Sequence, residues 1–138
     1  VSLFLDQTKV IYQIEMKDEI TKYYSKGNET KSYPIVVLQN SNSASASELL
    51  STALKESYGA TVIGETSYGK GTVQELVDGK DGIEYKFTTK KWLTPDGNWI
   101  HKIGVTPDIE VRLDVNYFVN PNDKTDNQLQ EAIRYLSE

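Results

Sequence analysis

The sequence contains no cysteine, which excludes disulfide bonds and thiolate metal sites. It also lacks a long apolar stretch, since no run approaches the roughly 18 apolar residues that a membrane-spanning helix requires. A basic stripe is missing as well: 15 Lys and Arg stand against 20 Asp and Glu, and the net charge is −5. Because binding to phosphate backbones depends on clustered cations, we expect no nucleic-acid partner and no direct membrane contact from this segment.

The beginning of the sequence predicts paired β-strands. Residues 9–16 alternate apolar and polar side chains, which is typical of a half-buried strand, and residues 20–24 are its expected hairpin partner. The preceding run Val1–Leu5 is also strand-like and lacks the basic n-region of a signal peptide. Because the sequence opens directly in this run, without Met, we expect a fragment of a longer protein.

A strand–helix–strand unit is predicted over residues 34–63. The continuous apolar run at 34–38 is typical of a buried parallel strand, and residues 60–63 form a second β-type run. Between these runs, apolar residues recur at helical spacing over 46–58, and Gly59 is a natural helix end. This order is that of a βαβ crossover.

The second half of the sequence predicts an antiparallel elaboration and a last helix. Its strand-like segments are Thr72–Val77, Ile83–Thr89, Trp99–Lys102 and Ile109–Leu113. The turn signals between them include Asp78-Gly79, Asp81-Gly82 and Pro95-Asp96-Gly97. A C-terminal helix is expected from about Thr125 to Leu136, capped by Asp123 or Thr125. The length suits one domain, so we predict a single α/β domain.

The serine turn, residues 40–48, links the first parallel strand to the helix. Ser45 and Glu48 have the spacing of a capping box, which is a purely structural interpretation. The same geometry suits a nucleophile, because a serine at a strand-to-helix turn is exposed beside unpaired backbone amides. In that interpretation the amide of Ala46 would help to hold an oxyanion. Serine is a weak nucleophile, however, and needs a base.

A candidate base lies in the lysine loop, residues 64–74. Lys70 stands between Gly69 and Gly71, which allow close backbone approach. A lysine accepts a proton only when it is neutral, and burial without a carboxylate partner favours that state. Gln74 could orient the amine through a neutral hydrogen bond. A turn with a solvated lysine is the alternative.

Two other chemistries are compatible with parts of these segments. Gly64-x-x-x-x-Gly69-Lys70 resembles a phosphate-binding loop, but position 71 is Gly instead of Ser or Thr, and a strand pattern follows where a helix is required. A Ser–His–Asp triad would have to use His101, the single histidine. Its alternation with apolar neighbours predicts an outward-facing position on a strand instead.

Together these motifs resemble the carboxyl-terminal processing proteases, also called tail-specific proteases. The matching segments are Ser-Ala-Ser-Ala-Ser-Glu (43–48), Gly-Glu-x-x-x-Gly-Lys-Gly-x-Val-Gln (64–74), Trp-Leu-Thr-Pro-Asp-Gly (92–97) and Gly-Val-Thr-Pro-Asp-Ile (104–109). They occur in the order that the family shows, across roughly residues 34–113.

The resemblance implies a role for each residue of the candidate site. Ser45 is similar to the family's nucleophile and Lys70 to its general base, with Gln74 orienting the lysine. Ala46 would supply one oxyanion amide, and Glu48 would support the site without transferring protons. The implied reaction uses no metal and no cofactor. The implied fold is that of the crotonase and Clp-protease α/β (ββα) superfold.

The resemblance also implies how residues 1–138 fit into a larger protein. They would form the C-terminal part of a peptidase catalytic domain, with the PDZ domain and the upstream R-x-N-x-G-G oxyanion segment absent from this chain. The resemblance implies a bacterial source and protein or peptide substrates that are cut near their C-termini. The protein would act outside the cytoplasm (periplasm, cell envelope or secreted), anchored to the membrane through the missing N-terminal region. A non-catalytic peptide-binding domain of the same fold and a homo-oligomeric full-length protein stay open.

Overall fold

The computed structural model describes residues 1–138, apart from the side chain of Asp81, one of the predicted turn carboxylates, which lies outside the described residues. The fold is mixed α/β and contains two sheets. One sheet has four antiparallel strands, and the other has three parallel strands. No helix in the described structure has the length and apolar character needed to cross a membrane.

The antiparallel sheet begins with the predicted hairpin. Strand β1 (Val10–Met16) pairs with β2 (Glu19–Tyr24), and the Lys17-Asp18 turn between them has the positive φ angles of a two-residue hairpin loop. Strand β6 (Glu84–Leu93) pairs with β1 on one side and with β5 (Thr72–Asp78) on the other. The lysine loop therefore runs directly into an edge strand of this sheet.

The parallel sheet contains the predicted βαβ unit. Strands β3 (Val36–Gln39) and β4 (Thr61–Gly64) are parallel neighbours, and β7 (Ile109–Glu110) adds to β4. Helix α1 (Ala46–Thr52) continues as a π-helical segment (Ala53–Tyr58) and ends at Gly59 with φ 89°. The serine turn and the lysine loop thus follow two neighbouring parallel strands, and both leave the same edge of the sheet.

The core lies between the antiparallel sheet, α1 and the segment 98–105. Buried Trp92, Ile100 and Val105 form its centre. The partly buried residues packed against them are Ile14, Leu49 and Val73. Leu49 follows Ser45 by one helical turn and Val73 follows Lys70 by three residues, so packing in this core fixes both the serine turn and the lysine loop.

Two predicted strands are wrong. Residues 1–5 form a turn, in which the Phe4 N–H donates to the Val1 carbonyl. Leu5 is fully buried, and its carbonyl accepts from the Ser25 hydroxyl instead of from a neighbouring strand. Residues 99–102 form no strand either: residues 101–103 are a turn, in which the amides of Ile103 and Gly104 both donate to the Ile100 carbonyl.

In the C-terminal region the structure differs from the prediction in three details. The strand predicted at Ile109–Leu113 is only the two-residue β7. The short helix α2 (Val115–Val119) was not predicted. The last helix, α3 (Asn127–Ser137), is confirmed, but its cap is Asp126, whose carboxylate accepts from Leu129 N–H at 2.9 Å, and not Asp123 or Thr125.

Candidate active site

Ser45 occupies a strained turn at the start of α1. Its φ of 57° and ψ of −112° lie outside the regions that L-residues ordinarily populate, and the side chain is exposed. Such strain costs about 1–3 kcal/mol and persists only where surrounding contacts enforce it. A strained serine at a strand-to-helix turn is also the arrangement of a nucleophile elbow, which lifts the hydroxyl above the end of the sheet.

The amide of Ala46 is available beside this hydroxyl. Among the described residues it has no hydrogen-bond partner, as expected for the first amide of a helix. The Ser47 amide bonds to the Ala44 carbonyl, and the Glu48 amide bonds to the Ser45 carbonyl at 3.0 Å. The Ala46 N–H is therefore free to bind an anionic oxygen at the serine turn.

The lysine loop is fixed through its backbone. The indole of Trp92 donates to the Lys70 carbonyl at 2.7 Å, and the indole of Trp99 donates to the Gly71 carbonyl at 2.8 Å. The Gly69 carbonyl accepts from the Lys102 amide at 2.8 Å. Gly69 has φ 85°, and a Cβ there would come 2.8 Å from the Gly104 nitrogen, so the close approach requires glycine.

Glu48 joins the serine turn to the lysine loop. Its side chain is fully buried, and its carboxylate oxygens accept hydrogen bonds from the Ser67 hydroxyl and three backbone amides. Oε2 accepts from Ser45 at 2.8 Å and from Lys70 at 2.9 Å, while Oε1 accepts from Gly69 at 2.6 Å. A single carboxylate therefore holds the backbones of both candidate catalytic residues.

Ser67 is a site residue that the sequence did not reveal. Its buried hydroxyl donates to Glu48 and accepts from the Val105 amide at 2.7 Å. The same hydroxyl thus connects the carboxylate to the segment 98–105, which also carries Trp99. The sequence offered no local signal for this role, because a serine in a polar loop is common.

Ser45, Lys70 and Gln74 line one cavity of about 510 Å³. The rest of its wall is mainly apolar and aromatic, and includes Tyr12, Ile14, Leu49, Val73, Leu76 and Trp92. No hydrogen bond joins Ser45 Oγ, Lys70 Nζ and the Gln74 amide in the part of the chain that the structure describes. Catalytic hydrogen bonds are often long without substrate and shorten when it binds.

The structure disfavours the two rival chemistries. The loop after Lys70 leads into strand β5, so the helix N-terminus that a phosphate loop requires is missing from this described segment. His101 lies on a turn, half-buried and stacked on Trp99 with ring centroids 5.2 Å apart, and not on an outward strand face as predicted. It does not line the cavity that contains Ser45. No group of three His, Asp or Glu side chains suited to a metal ion occurs among the described residues.

Known proteins share both the sequence and the fold. Residues 1–111 match the model of peptidase family S41. The carboxy-terminal processing protease CtpB of Bacillus subtilis is 48% identical over 98 residues, which are 71% of this chain and 20% of that protein. CtpA of the same organism is 45% identical over 115 residues, which are 81% of this chain and 24% of that protein. The carboxyl-terminal-processing protease of Synechocystis is 33% identical over 135 residues, which are 98% of this chain and 32% of that protein.

Among solved structures, the photosystem II D1 C-terminal processing protease superposes with a TM-score of 0.76 at 34% identity. That match covers 99% of this chain and 33% of the other. The chain therefore spans about a fifth to a third of the length of these relatives.

Proposed function

The chain belongs to peptidase family S41, and we propose that it carries the Ser45–Lys70 dyad of a serine endopeptidase. Its relatives named above are carboxy-terminal processing proteases, two of them from Bacillus subtilis. We extend that activity to the protein that contains this chain, with protein or peptide substrates cut near their C-termini. A non-catalytic peptide-binding domain is the alternative that the experiment below addresses.

The observation that carries the proposal is the shared geometry of the two segments. Ser45 and Lys70 face one cavity, and the Glu48 carboxylate binds the backbone amide of each. A purely structural capping box would not require the glutamate to reach the lysine loop. The arrangement suits a nucleophile and a base that must keep a fixed separation.

The proposed reaction is acyl transfer to water. Ser45 Oγ attacks the peptide carbonyl carbon while neutral Lys70 Nζ takes the hydroxyl proton. The oxyanion that forms is held by the free amide of Ala46. The C–N bond then breaks as Lys70 returns its proton to the leaving amine. Water, deprotonated by Lys70, next attacks the ester, and Ser45 recovers its proton when the acid leaves.

Gln74 and Glu48 are proposed as positioning residues. Gln74 lines the cavity with Lys70, and its neutral amide can accept a hydrogen bond from the amine without adding charge. Glu48 is buried behind the loop with all its bonds directed to amides and a hydroxyl. It is therefore placed to hold the backbones and not to exchange protons with the substrate.

We further propose that residues 1–138 are the C-terminal part of a catalytic domain with the crotonase and Clp-protease topology. The fraction of each relative that the chain covers is compatible with that assignment. A second oxyanion donor would come from outside this chain, and the loss of one such donor typically costs about 10²–10³ in rate. As a bacterial processing protease, the full-length protein would act outside the cytoplasm.

The test is peptide cleavage by the full-length protein and its variants between pH 6 and 10. Ser45→Ala and Lys70→Ala should each lower kcat by about 10⁴-fold or more, because nucleophile and base act as one unit. Lys124→Ala, at an exposed position that does not line the cavity, is the matched charge control. His101→Gln should abolish cleavage only if histidine were the base. Wild-type rates in Lys70→Ala would refute the dyad, and a folded parent that cleaves no peptide would favour the binding domain.

A further inference from the structure

A second cavity adjoins the candidate active site. It has a volume of about 560 Å³ and shares Lys70, Thr72 and Gln74 with the first cavity. It differs in its other walls, which include Ala44, Tyr68, His101 and Lys102. Ser45 does not line it, so the nucleophile opens into one cavity whereas the proposed base borders both.

The charge of this second cavity is positive. Lys102 contributes an ammonium group beside Lys70, which is neutral in the proposed mechanism, and no carboxylate side chain lines the cavity. Neither lysine forms an ion pair with any of the described side chains. The nearby Glu48 carboxylate is buried and already satisfied by amides and a hydroxyl. An anionic group entering the cavity would therefore meet the unpaired cation of Lys102.

Lys102 is held in place by its backbone. Its φ is 63°, and its amide donates to the Gly69 carbonyl at 2.8 Å. The neighbouring residues Ile100 and Val105 are buried in the core. The turn that carries Lys102 is thus fixed to the lysine loop, while the side chain is exposed at the cavity.

The two cavities correspond to the two halves of a cleaved peptide. After the C–N bond breaks, the acyl half is covalently bound to Ser45 and must occupy the cavity that Ser45 lines. The amine half receives its proton from Lys70 and departs from the neighbourhood of that residue. The cavity that Lys70 borders and Ser45 does not is the available place for the leaving segment.

We propose that the second cavity is a leaving-segment subsite in which Lys102 binds a carboxylate of the substrate. This inference rests on the proposed peptidase function and adds the chemistry of its substrate. The carboxylate is supplied either by the free C-terminus of a short leaving segment or by an acidic side chain within a longer one. Both sources present the same group to Lys102.

The test compares three peptides with the same acyl half in the full-length protein. One has a two-residue leaving segment with a free carboxylate, the second is its C-terminal amide, and the third is a longer amide with Asp at the second leaving position. We expect kcat/KM for a carboxylate peptide to exceed that of the plain amide by roughly 3–10-fold. Preference for the first peptide identifies the terminus as the source, and preference for the third identifies the side chain.

Variants of Lys102 assign the preference to this cavity. Lys102→Asn removes the charge with a residue that tolerates positive φ, and it should reduce the carboxylate-to-amide ratio to about one. Lys102→Arg should keep the ratio, and Lys124→Asn serves as the remote charge control. A ratio near one in the wild type, or an unchanged ratio in Lys102→Asn, would overturn the subsite.

A binding measurement separates this inference from the proposed function. Calorimetry with the Ser45→Ala protein measures the affinity of the leaving-segment dipeptide and of its amide without cleavage. Tighter binding of the acid, lost in the Ser45→Ala, Lys102→Asn double variant, supports the subsite even if every peptide resists hydrolysis. Equal binding of the acid, of its amide and of the longer leaving-segment amide with Asp at its second position overturns it even if the enzyme is active.

Discussion

Replacing Glu48 by Gln probes the connection between the serine turn and the lysine loop. The change preserves the size of the buried side chain but converts one carboxylate oxygen into an NH₂ group, which donates hydrogen bonds and accepts none. In the wild-type protein, Oε1 of Glu48 accepts from Ser67 and Gly69, and Oε2 accepts from Ser45 and Lys70. Whichever oxygen is replaced, donors that were satisfied will face another donor.

The better of the two amide orientations sets the magnitude. With the NH₂ group toward Ser67 and Gly69, the serine hydroxyl can rotate to accept, but the Gly69 amide loses its partner. A buried unpaired amide costs about 1–3 kcal/mol. The remaining bonds to Ser45 and Lys70 also weaken, because a neutral acceptor binds about half as strongly as a charged one. We therefore expect a loss of roughly 2–4 kcal/mol, a large share of the stability of an ordinary domain.

Urea unfolding followed by tryptophan fluorescence measures this loss, since the two tryptophans of this chain both donate to the lysine loop. Hydrogen exchange at the Gly69 and Lys70 amides reports the local effect, and both should exchange faster in the variant. Glu110→Gln is the matched control, because its side chain is exposed and should change stability by less than about 0.5 kcal/mol. A Glu48→Gln protein with wild-type stability and unchanged exchange would refute the reasoning.

Two further predictions concern the scaffold. Gly64→Ala should destabilise the protein by more than about 3 kcal/mol, because the alanine Cβ would lie 2.0 Å from the Gln39 carbonyl oxygen. Gly59→Ala is the control, since Gly59 also has a positive φ but a Cβ there would contact no other atom. It should cost only about 1–2 kcal/mol in the same urea titration. Burial raises the pKa of Asp108, but hydrogen bonds from Lys55 and a β4 amide, together with the Lys55 charge, hold the pKa below its ordinary value. Ionised Asp108 should therefore stabilise the fold above about pH 4, and this contribution should vanish as the pH falls through the lowered pKa. Because the Lys55–Asp108 pair is partly exposed, the contribution should be at most about 1 kcal/mol. Stability curves of wild type and Asp108→Asn that stay parallel from pH 3 to 7 would contradict this.

Local patterns were sufficient where local sequence determines structure. The apolar run at 34–38, the helical spacing over 46–58 and the stop at Gly59 predicted the βαβ unit with small errors at its ends. The turn after β3 placed Ser45 at the start of a helix for the same reason. Where a strand and a helix are both fixed by hydrophobic periodicity, the residue between them is fixed as well.

Periodicity failed where a segment is stabilised by distant partners. The alternation in residues 99–102 predicted a strand, yet the Trp99 indole donates to Gly71 and the Lys102 amide donates to Gly69. Those bonds replace a strand ladder with contacts to a loop about 30 residues earlier in the sequence. Ser67 was missed for a related reason, since its partners lie 19 residues before it and 38 residues after it.

The Glu48 carboxylate is common to both interpretations of the serine turn, the helix cap and the proposed catalytic site. The Glu48 half of a capping box is formed, because the Ser45 amide donates to Glu48. In an ordinary helix the capping carboxylate has exposed lone pairs that water satisfies, whereas here they accept from Ser67, Gly69 and Lys70. The bond that starts the helix therefore also sets the position of the lysine loop. Fraying of the first turn of α1 would therefore remove one of the bonds that hold the lysine loop, although the bond from the Trp92 indole to the Lys70 carbonyl would remain.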